Sequence, residues 1–261
     1  HKQMNQNEQR LGHLKAAVGF KPTDTESVVE LVDHYLYEKD EVQAEAALLN
    51  AANNGCAGPA FYERLVRFFL DKDIAQAETY ANFGLESHPD SALVYILRGE
   101  VAEKMGHAKN ARSYYSRSVE VEPGLSAGYL ALAGIQQKAG RMDAAAKTLM
   151  EGEEKVQAKT DILLALADLY MDGAQVIKAK SVYEKILDKV PTNTRVRLDY
   201  AMLLTEIGYA EEAINQFKTL FSQGLTDNEA TVGYATALTV AQRPREAIAQ
   251  LNGLLQIQPQ N

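Results

Sequence analysis

At 261 residues, 46% hydrophobic and 24% charged, the chain is long enough for one extended domain or two ordinary ones and has the balance of a folded protein. Its 27 basic against 35 acidic residues, a net charge of -8, disfavour a grip on nucleic-acid phosphates, which needs clustered lysine and arginine. A lone cysteine, Cys56, excludes an internal disulfide framework or a thiolate zinc cluster within one chain, and no apolar run approaches the roughly 20 residues of a membrane helix.

In chain order, Leu14, Ala17 and Val18 recur at helical spacing ahead of Pro22, so residues 1–22 are expected to hold an N-terminal helix or the second half of a preceding hairpin. Thr23 and Glu26 have the spacing of a capping box and open the next helix. Two helices are expected between Thr25 and about Gly55, with Ala44 at their crossing. The segment "NNGCAGPA" around Cys56 reads as a loop holding an inert thiol, with no base nearby in sequence.

From Gly58 onward a period of 34 governs the sequence. One column reads Ala77, Ala111, Ala145, Ala179, Ala213, Ala247; a second holds Pro89, Pro123, Pro191 and Pro259; a third, twelve residues before the alanines, reads Leu65, Gly99, Ala133, Ala167, Ala201, Ala235. The row from Ser91 to Pro123 shows what one period contains. Leu93, Ile96, Leu97, Val101 and Met105 mark a first helix; Ala111, Tyr114, Tyr115, Ser118 and Val119 mark a second; Met105-Gly106-His107 breaks them, glycine being the residue that best tolerates positive φ. The stretches "GHAKNARSYY", "GRMDAAAKTL" and "GYAEEAINQF" repeat that turn-and-helix skeleton from Gly106, Gly140 and Gly208. Thr226 with Glu229 is a further capping-box pair, and Pro244 falls where a helix's first residue has no amide bond to lose. No strand pattern occurs.

Small residues at two fixed phases have a packing reason. Antiparallel helices joined by a tight turn approach closely only where little side chain intervenes, while Tyr115, Leu149, Tyr183, Phe217 and Leu251 fill the space beside the crossing. Proline then ends the second helix. The last helix, with Ile248, Leu251, Leu254, Leu255 and Ile257, runs to Pro259 with no polar cap after it. That predicts a fragment of a longer array or self-association through uncapped ends.

This pattern resembles the tetratricopeptide repeat (TPR), a 34-residue helix-turn-helix unit. The row from Ala92 supplies Tyr95, Gly99, Gly106, Ala111, Tyr115 and Pro123 of its signature; the row from Thr160 supplies Leu163, Leu166, Ala167, Tyr170, Ala179, Tyr183 and Pro191. Arg197 and Thr231 depart from it where an aromatic is usual, and Ser118 and Gly152 replace the later alanine. The resemblance implies an all-α TPR-type solenoid of helical hairpins in a right-handed superhelix. It implies a single array over residues 23–261, about seven hairpins near 25–57, 58–91, 92–125, 126–159, 160–193, 194–227 and 228–261.

In that family the first helix of each hairpin lines the concave side. Carrying its groove-facing slots over gives Tyr62, Val66 and Phe69; Ile96, Glu100 and Glu103; Leu130, Gly134 and Gln137; Leu164, Asp168 and Met171; and Leu198, Met202 and Thr205. The implied function is a scaffold for a protein or peptide segment that is amphipathic and carries basic residues. Ile96, Leu130, Leu164 and Leu198 fit burial between neighbouring hairpins equally well. The chaperone-tail clamp of some relatives does not carry over: Val29, Tyr62, Ile96, Leu130 and Leu164 stand in its lysine slot, and Asp33, Val66, Glu100, Gly134 and Asp168 in its asparagine slot. Alternative roles are the non-catalytic arm of a larger enzyme or envelope assembly machine, or a self-association module.

Enzymatic chemistry is not expected, nor a metal or cofactor. The five histidines show no ligand spacing, and Glu153-Glu154 and Glu211-Glu212 are sequence neighbours that diverge by about 100° on a helix. Glu100 and Lys104 read as an i,i+4 pair. The run Lys178, Lys180, Lys185, Lys189 reads as a second-helix face offset by nearby acids. Direct membrane insertion is not expected, and cytoplasmic or bacterial periplasmic and envelope-associated locations stay open.

Overall fold

The structure, a computed structural model, describes residues 2–225 and 227–257, with side chains for residues 7, 9–225 and 227–254. Among the described residues it holds fifteen helices and no strand: α1 (Lys2–Phe20), α2 (Thr25–Tyr37), α3 (Glu41–Asn53), α4 (Pro59–Phe69), α5 (Ile74–Ser87), α6 (Ala92–Lys104), α7 (Ala108–Val121), α8 (Ser126–Lys138), α9 (Met142–Lys155), α10 (Thr160–Asp172), α11 (Val176–Lys189), α12 (Thr194–Glu206), α13 (Ala210–Ser222), α14 (Asn228–Val240) and α15 (Pro244–Ile257). The chain is therefore an all-α repeat solenoid. Thr226, Pro259 and the side chains of Leu255 and Ile257 lie outside the described residues.

Several helices start for a local reason. Asp24, Asp40, Asp73, Asn193 and Asp227 cap α2, α3, α5, α12 and α14 by accepting first-turn amide N–H groups. The expected box of Thr23 and Glu26 is thus displaced by one residue: Asp24 is the cap and accepts from Ser27 N, because its carboxylate is the stronger acceptor. Pro244 opens α15, as expected of a residue with no amide hydrogen to lose. In the inter-helix turns Gly106, Gly140 and Gly208 take φ of +79°, +71° and +82°. Ala174 and Gln242 occupy the same slot of the period with φ of +54° and +59°.

The chain divides into two compact units, residues 1–141 and 142–261. In the first, α2, α4, α6 and α8 touch in succession, whereas α3, α5 and α7 do not touch one another among the described residues. The run therefore curves with its first helices inside. In the second unit α12 touches α14, while neither α10 and α12 nor α11 and α13 touch among the described residues. Spreading of the second helices leaves clefts floored by a first helix: about 340 Å³ between α3 and α5 over α4, and about 380 Å³ between α11 and α13 over α12.

The alanine column is closed from solvent in every row from Ala77 to Ala247, and Ala44 is fully buried too. Leu65, Gly99, Ala133, Ala167, Ala201 and Ala235 are buried across the crossing. Tyr115, Leu149, Tyr183 and Phe217 fill the space beside them; Leu251 is 37% exposed on α15. Cys56 is buried, its thiol 3.7 Å from Thr25 Oγ1, and burial pushes that thiol's pKa up.

Candidate functional site

In the first unit the expected groove residues separate into two groups. Tyr62, Val66, Phe69 and Ile96 are buried, which corrects their assignment to an open face. Tyr62 lies against Gly84 of α5, where a Cβ would sit 3.2 Å from its Cγ, and the Phe69 ring is 5.7 Å from that of Tyr80. Tyr62 and Phe69 thus fill the α4/α5 hairpin, while Ile96 is buried in a cluster with Ala102, Ala111, Tyr115 and Ile135. Glu100, Glu103, Leu130, Gly134 and Gln137 are half-buried and reach solvent.

Several acids of this unit's first helices are paired with bases about one period away. Arg64 grips both carboxylate oxygens of Asp33, at 2.6 and 3.0 Å; Arg67 bridges Glu63 and Glu100 at 3.3 Å each; Lys138 reaches Glu103 at 2.6 Å. Lys104 pairs with Asp71. The i,i+4 pair expected of Glu100 and Lys104 is thus replaced by two cross-hairpin pairs, because Arg67 on α4 and Asp71 in the turn after it offer each side chain an opposite charge. Burial raises the Glu100 pKa, with Arg67 pulling the other way.

In the second unit Leu198 is buried, the alternative its spacing left open, and Thr205 is buried too, a second correction. Thr205 Oγ1 donates back along its own helix to Ala201 O at 2.8 Å. Leu164 and Met171 are half-buried, and Asp168 and Met202 are exposed. Val232 on α14 is exposed, at 49%.

Charge is arranged differently here. Asp168 forms no ion pair among the described residues, and its pKa is raised by desolvation and by Asp172. Asp199 pairs with Arg195 at 3.0 Å, but Arg195 also serves Glu229 at 3.6 Å, and burial raises the Asp199 pKa. Burial, with Asp199 and Asp168 adding to it, pushes the Tyr183 hydroxyl up to about 12. Asp168 and Asp199 thus act on one another, with Arg195, shared with Glu229, as the base paired to Asp199 among the described residues.

Sequence reasoning missed Asp199, Arg195, Arg64, Arg67 and Lys138. A usable signal was present: the pairs of these residues across hairpins join opposite charges 31 to 35 residues apart, about one period. The adjacent acids do diverge, since Glu211 turns to Arg243 and Glu212 to Lys180. Of the four α11 lysines, Lys180 is offset by Glu184 and Glu212 and Lys185 by Glu153, whereas Lys178 donates to the neutral Gln175 and Lys189 forms no ion pair among the described residues.

Residues 92–124, the α6/α7 hairpin, match the tetratricopeptide repeat family model. No curated protein matches the chain. Among solved structures it resembles the C-terminal part of a TPR repeat-containing protein from Cytophaga hutchinsonii, with TM-score 0.66 and 15% identity over 89% of this chain and 96% of that one. It also resembles pilF of Pseudomonas aeruginosa, with TM-score 0.56 and 19% identity over 78% and 93%. A third is YrrB, described as a TPR protein with an unusual peptide-binding site, with TM-score 0.54 and 16% identity over 69% and 93%. At these identities the likeness is one of fold. No helix among the described residues is long and apolar enough to cross a membrane.

Proposed function

From a chain built of tetratricopeptide-type helical hairpins, we propose a non-catalytic protein–protein interaction scaffold that holds a peptide segment against its first helices. Residues 23–261 act as one array of about seven hairpins in this reading. The segment is amphipathic: apolar side chains rest on Met171, Met202 and Val232, and lysine or arginine faces Asp168 and Asp199. The observation that carries the reading is the charge difference between the two units. First-helix acids Asp33, Glu63, Glu100 and Glu103 of residues 1–141 are held by Arg64, Arg67 and Lys138, whereas Asp168 has no ion pair among the described residues and Asp199 shares its base. Rigid helices present this face at small ordering cost, so complementarity converts efficiently into affinity.

A labelled peptide with leucine and lysine at helical spacing, titrated against the whole chain by fluorescence anisotropy, tests the reading. Reversal of Asp168 and Asp199 to lysine is expected to weaken binding by about tenfold or more. Reversal of Glu100 and Glu103 should change it by less than about threefold, since each already has a cationic partner. Binding that ignores the Asp168/Asp199 reversal ends the proposal.

A further inference from the structure

The cleft between α11 and α13 is built around a charge with no counter-charge. Its floor is Arg197 on α12, in the slot that Phe61, Tyr129 and Leu163 fill elsewhere in the period, each buried. Arg197 is nearly as closed, at 9% exposure. Its Nη2 donates to Pro191 O at 2.6 Å and its Nη1 to Gln216 Oε1, both neutral acceptors, and its buried Nε has no partner. Desolvation holds the guanidinium's pKa below its ordinary value. A buried arginine without a carboxylate is an expensive replacement for an aromatic or leucine, and apolar residues at such places are commonly neutral or stabilising.

The rim carries the opposite sign. Glu184 and Glu212 share one base, Lys180, at 2.7 and 3.1 Å, and Asp188 forms no ion pair among the described residues. Three carboxylates against one ammonium leave the rim two charges negative. Asn215 on the same wall has no hydrogen bond to its side-chain amide among the described residues. A bare anion would match the floor and be repelled by the rim, and a bare cation would match the rim and leave Arg197 uncompensated. A ligand carrying both charges satisfies each.

We propose that this cleft, on the second-helix side and distinct from the first-helix face, binds a small zwitterion of amino-acid or dipeptide size, its carboxylate on Arg197 and Asn215 and its ammonium on Asp188. The volume of about 380 Å³ falls at the lower end of small-molecule sites. The carboxylate supplies the counter-charge that burial withholds from Arg197 and accepts hydrogen bonds from donors now turned to neutral groups or to none.

Calorimetric titration of the whole chain with L-alanine, glycyl-L-alanine, N-acetyl-L-alanine and L-alaninamide tests this. Saturable binding of a zwitterion with Kd below about 10 mM is expected, with the acetylated and amidated forms weaker by about tenfold or more, each lacking one charge. Tighter binding of alanine assigns a free amino acid, and tighter binding of glycylalanine a peptide end. Arg197→Leu should abolish binding and leave the melting temperature unchanged or raised. Asp188→Asn, on the rim, should weaken the zwitterion about tenfold and leave N-acetyl-L-alanine unaffected. No saturable heat from either zwitterion up to about 100 mM, equal binding of the blocked forms, or zwitterion binding that persists in Arg197→Leu overturns the proposal. Should Arg197→Leu fail to fold, unaltered zwitterion binding by Asp188→Asn overturns it equally.

Discussion

A Cβ placed on Gly99 would lie 2.2 Å from Tyr115 Cε1 and 2.5 Å from Cδ1, so the tyrosine ring of α7 rests on the bare backbone of α6. The same ring continues outward, its hydroxyl donating to Glu103 at 2.9 Å, and Glu103 in turn accepts from Lys138 at 2.6 Å. One glycine thereby ties the interior of a hairpin to the ion pairs on its first-helix face. Gly134 of α8 has nothing within 4 Å of a Cβ.

Alanine at these two mid-helix glycines should act in opposite directions. Gly134→Ala gains helix propensity without a clash and should stabilise by about 0.5–1 kcal/mol. Gly99→Ala gains the same propensity but forces the Tyr115 ring aside, and overpacking of about 1–3 kcal/mol should win. Urea unfolding of both variants decides it. If Gly99→Ala were as stable as Gly134→Ala, the ring could not lie where it does.

The inter-helix turns offer a second comparison inside one molecule. Gly106, Gly140 and Gly208 adopt left-handed backbone without a Cβ penalty, while Ala174 and Gln242 adopt it with one. Ala174→Gly and Gln242→Gly should each raise stability by about 0.5–1 kcal/mol, the relief of strain exceeding the entropy glycine returns to the unfolded chain. Gly173 beside it has a φ of -83°, so exchanging it for alanine should not produce the penalty that Gly208→Ala does.

Much of this fold was legible because the features that repeat are those that packing dictates at one phase. Ala111, Ala179 and Ala213 had to be small for helices to cross, and all are fully buried. Burial of Tyr62, Val66, Phe69 and Thr205 was not legible, and that of Ile96 and Leu198 was only one of two equal readings. Apolar and small side chains on a first helix follow the same 3.6-residue spacing whether they face the partner helix or the open side, and only the crossing geometry separates the two. Nor did the charges show their partners: Lys104 lies four residues from Glu100 in sequence, yet pairs with Asp71 across a hairpin boundary. Arg197 was visible as a departure from the period, but its lack of a counter-ion was not.

Stability should depend on pH through two groups of opposite sign. Asp73 accepts from Ala75 N and Gln76 N at 3.1 Å each, and these bonds lower its pKa. The unfolded chain binds that proton first as pH falls, so the Asp73 contribution is present above the ordinary carboxylate value of about 4 and is lost below it. Glu100 runs the other way: burial raises its pKa, so its charge is a liability at neutral pH that vanishes once both states are protonated. Asp73→Asn should flatten the fall in stability between about pH 5 and 3. Glu100→Gln should match the parent near pH 4 and exceed it by less than about 1 kcal/mol at pH 7, Arg67 keeping Glu63 as a partner. Denaturant midpoints across that range read both effects, and a Glu100→Gln advantage that grows on acidification would reverse the assigned sign.

The cross-hairpin ion pairs should couple neighbours rather than stabilise single hairpins. Arg64 holds Asp33 with two bonds across 31 residues, so each pair member belongs to a different hairpin. Both side chains are partly exposed, at 29% and 46%, which limits the coupling to about 0.5–1 kcal/mol in a double-mutant cycle of Arg64→Gln and Asp33→Asn, falling as salt screens it. Arg195 and Asp199 lie on one helix, and their cycle should give about 0.3–0.5 kcal/mol. The distinguishing readout is local opening. In a linear array, weakening a nearest-neighbour contact lets the end open before the rest, so hydrogen exchange in α2 and α3 should quicken in Asp33→Asn while α6 and α7 keep their protection. Uniform quickening across residues 1–141 would mean that the pair stabilises that unit as a whole and joins no particular neighbours.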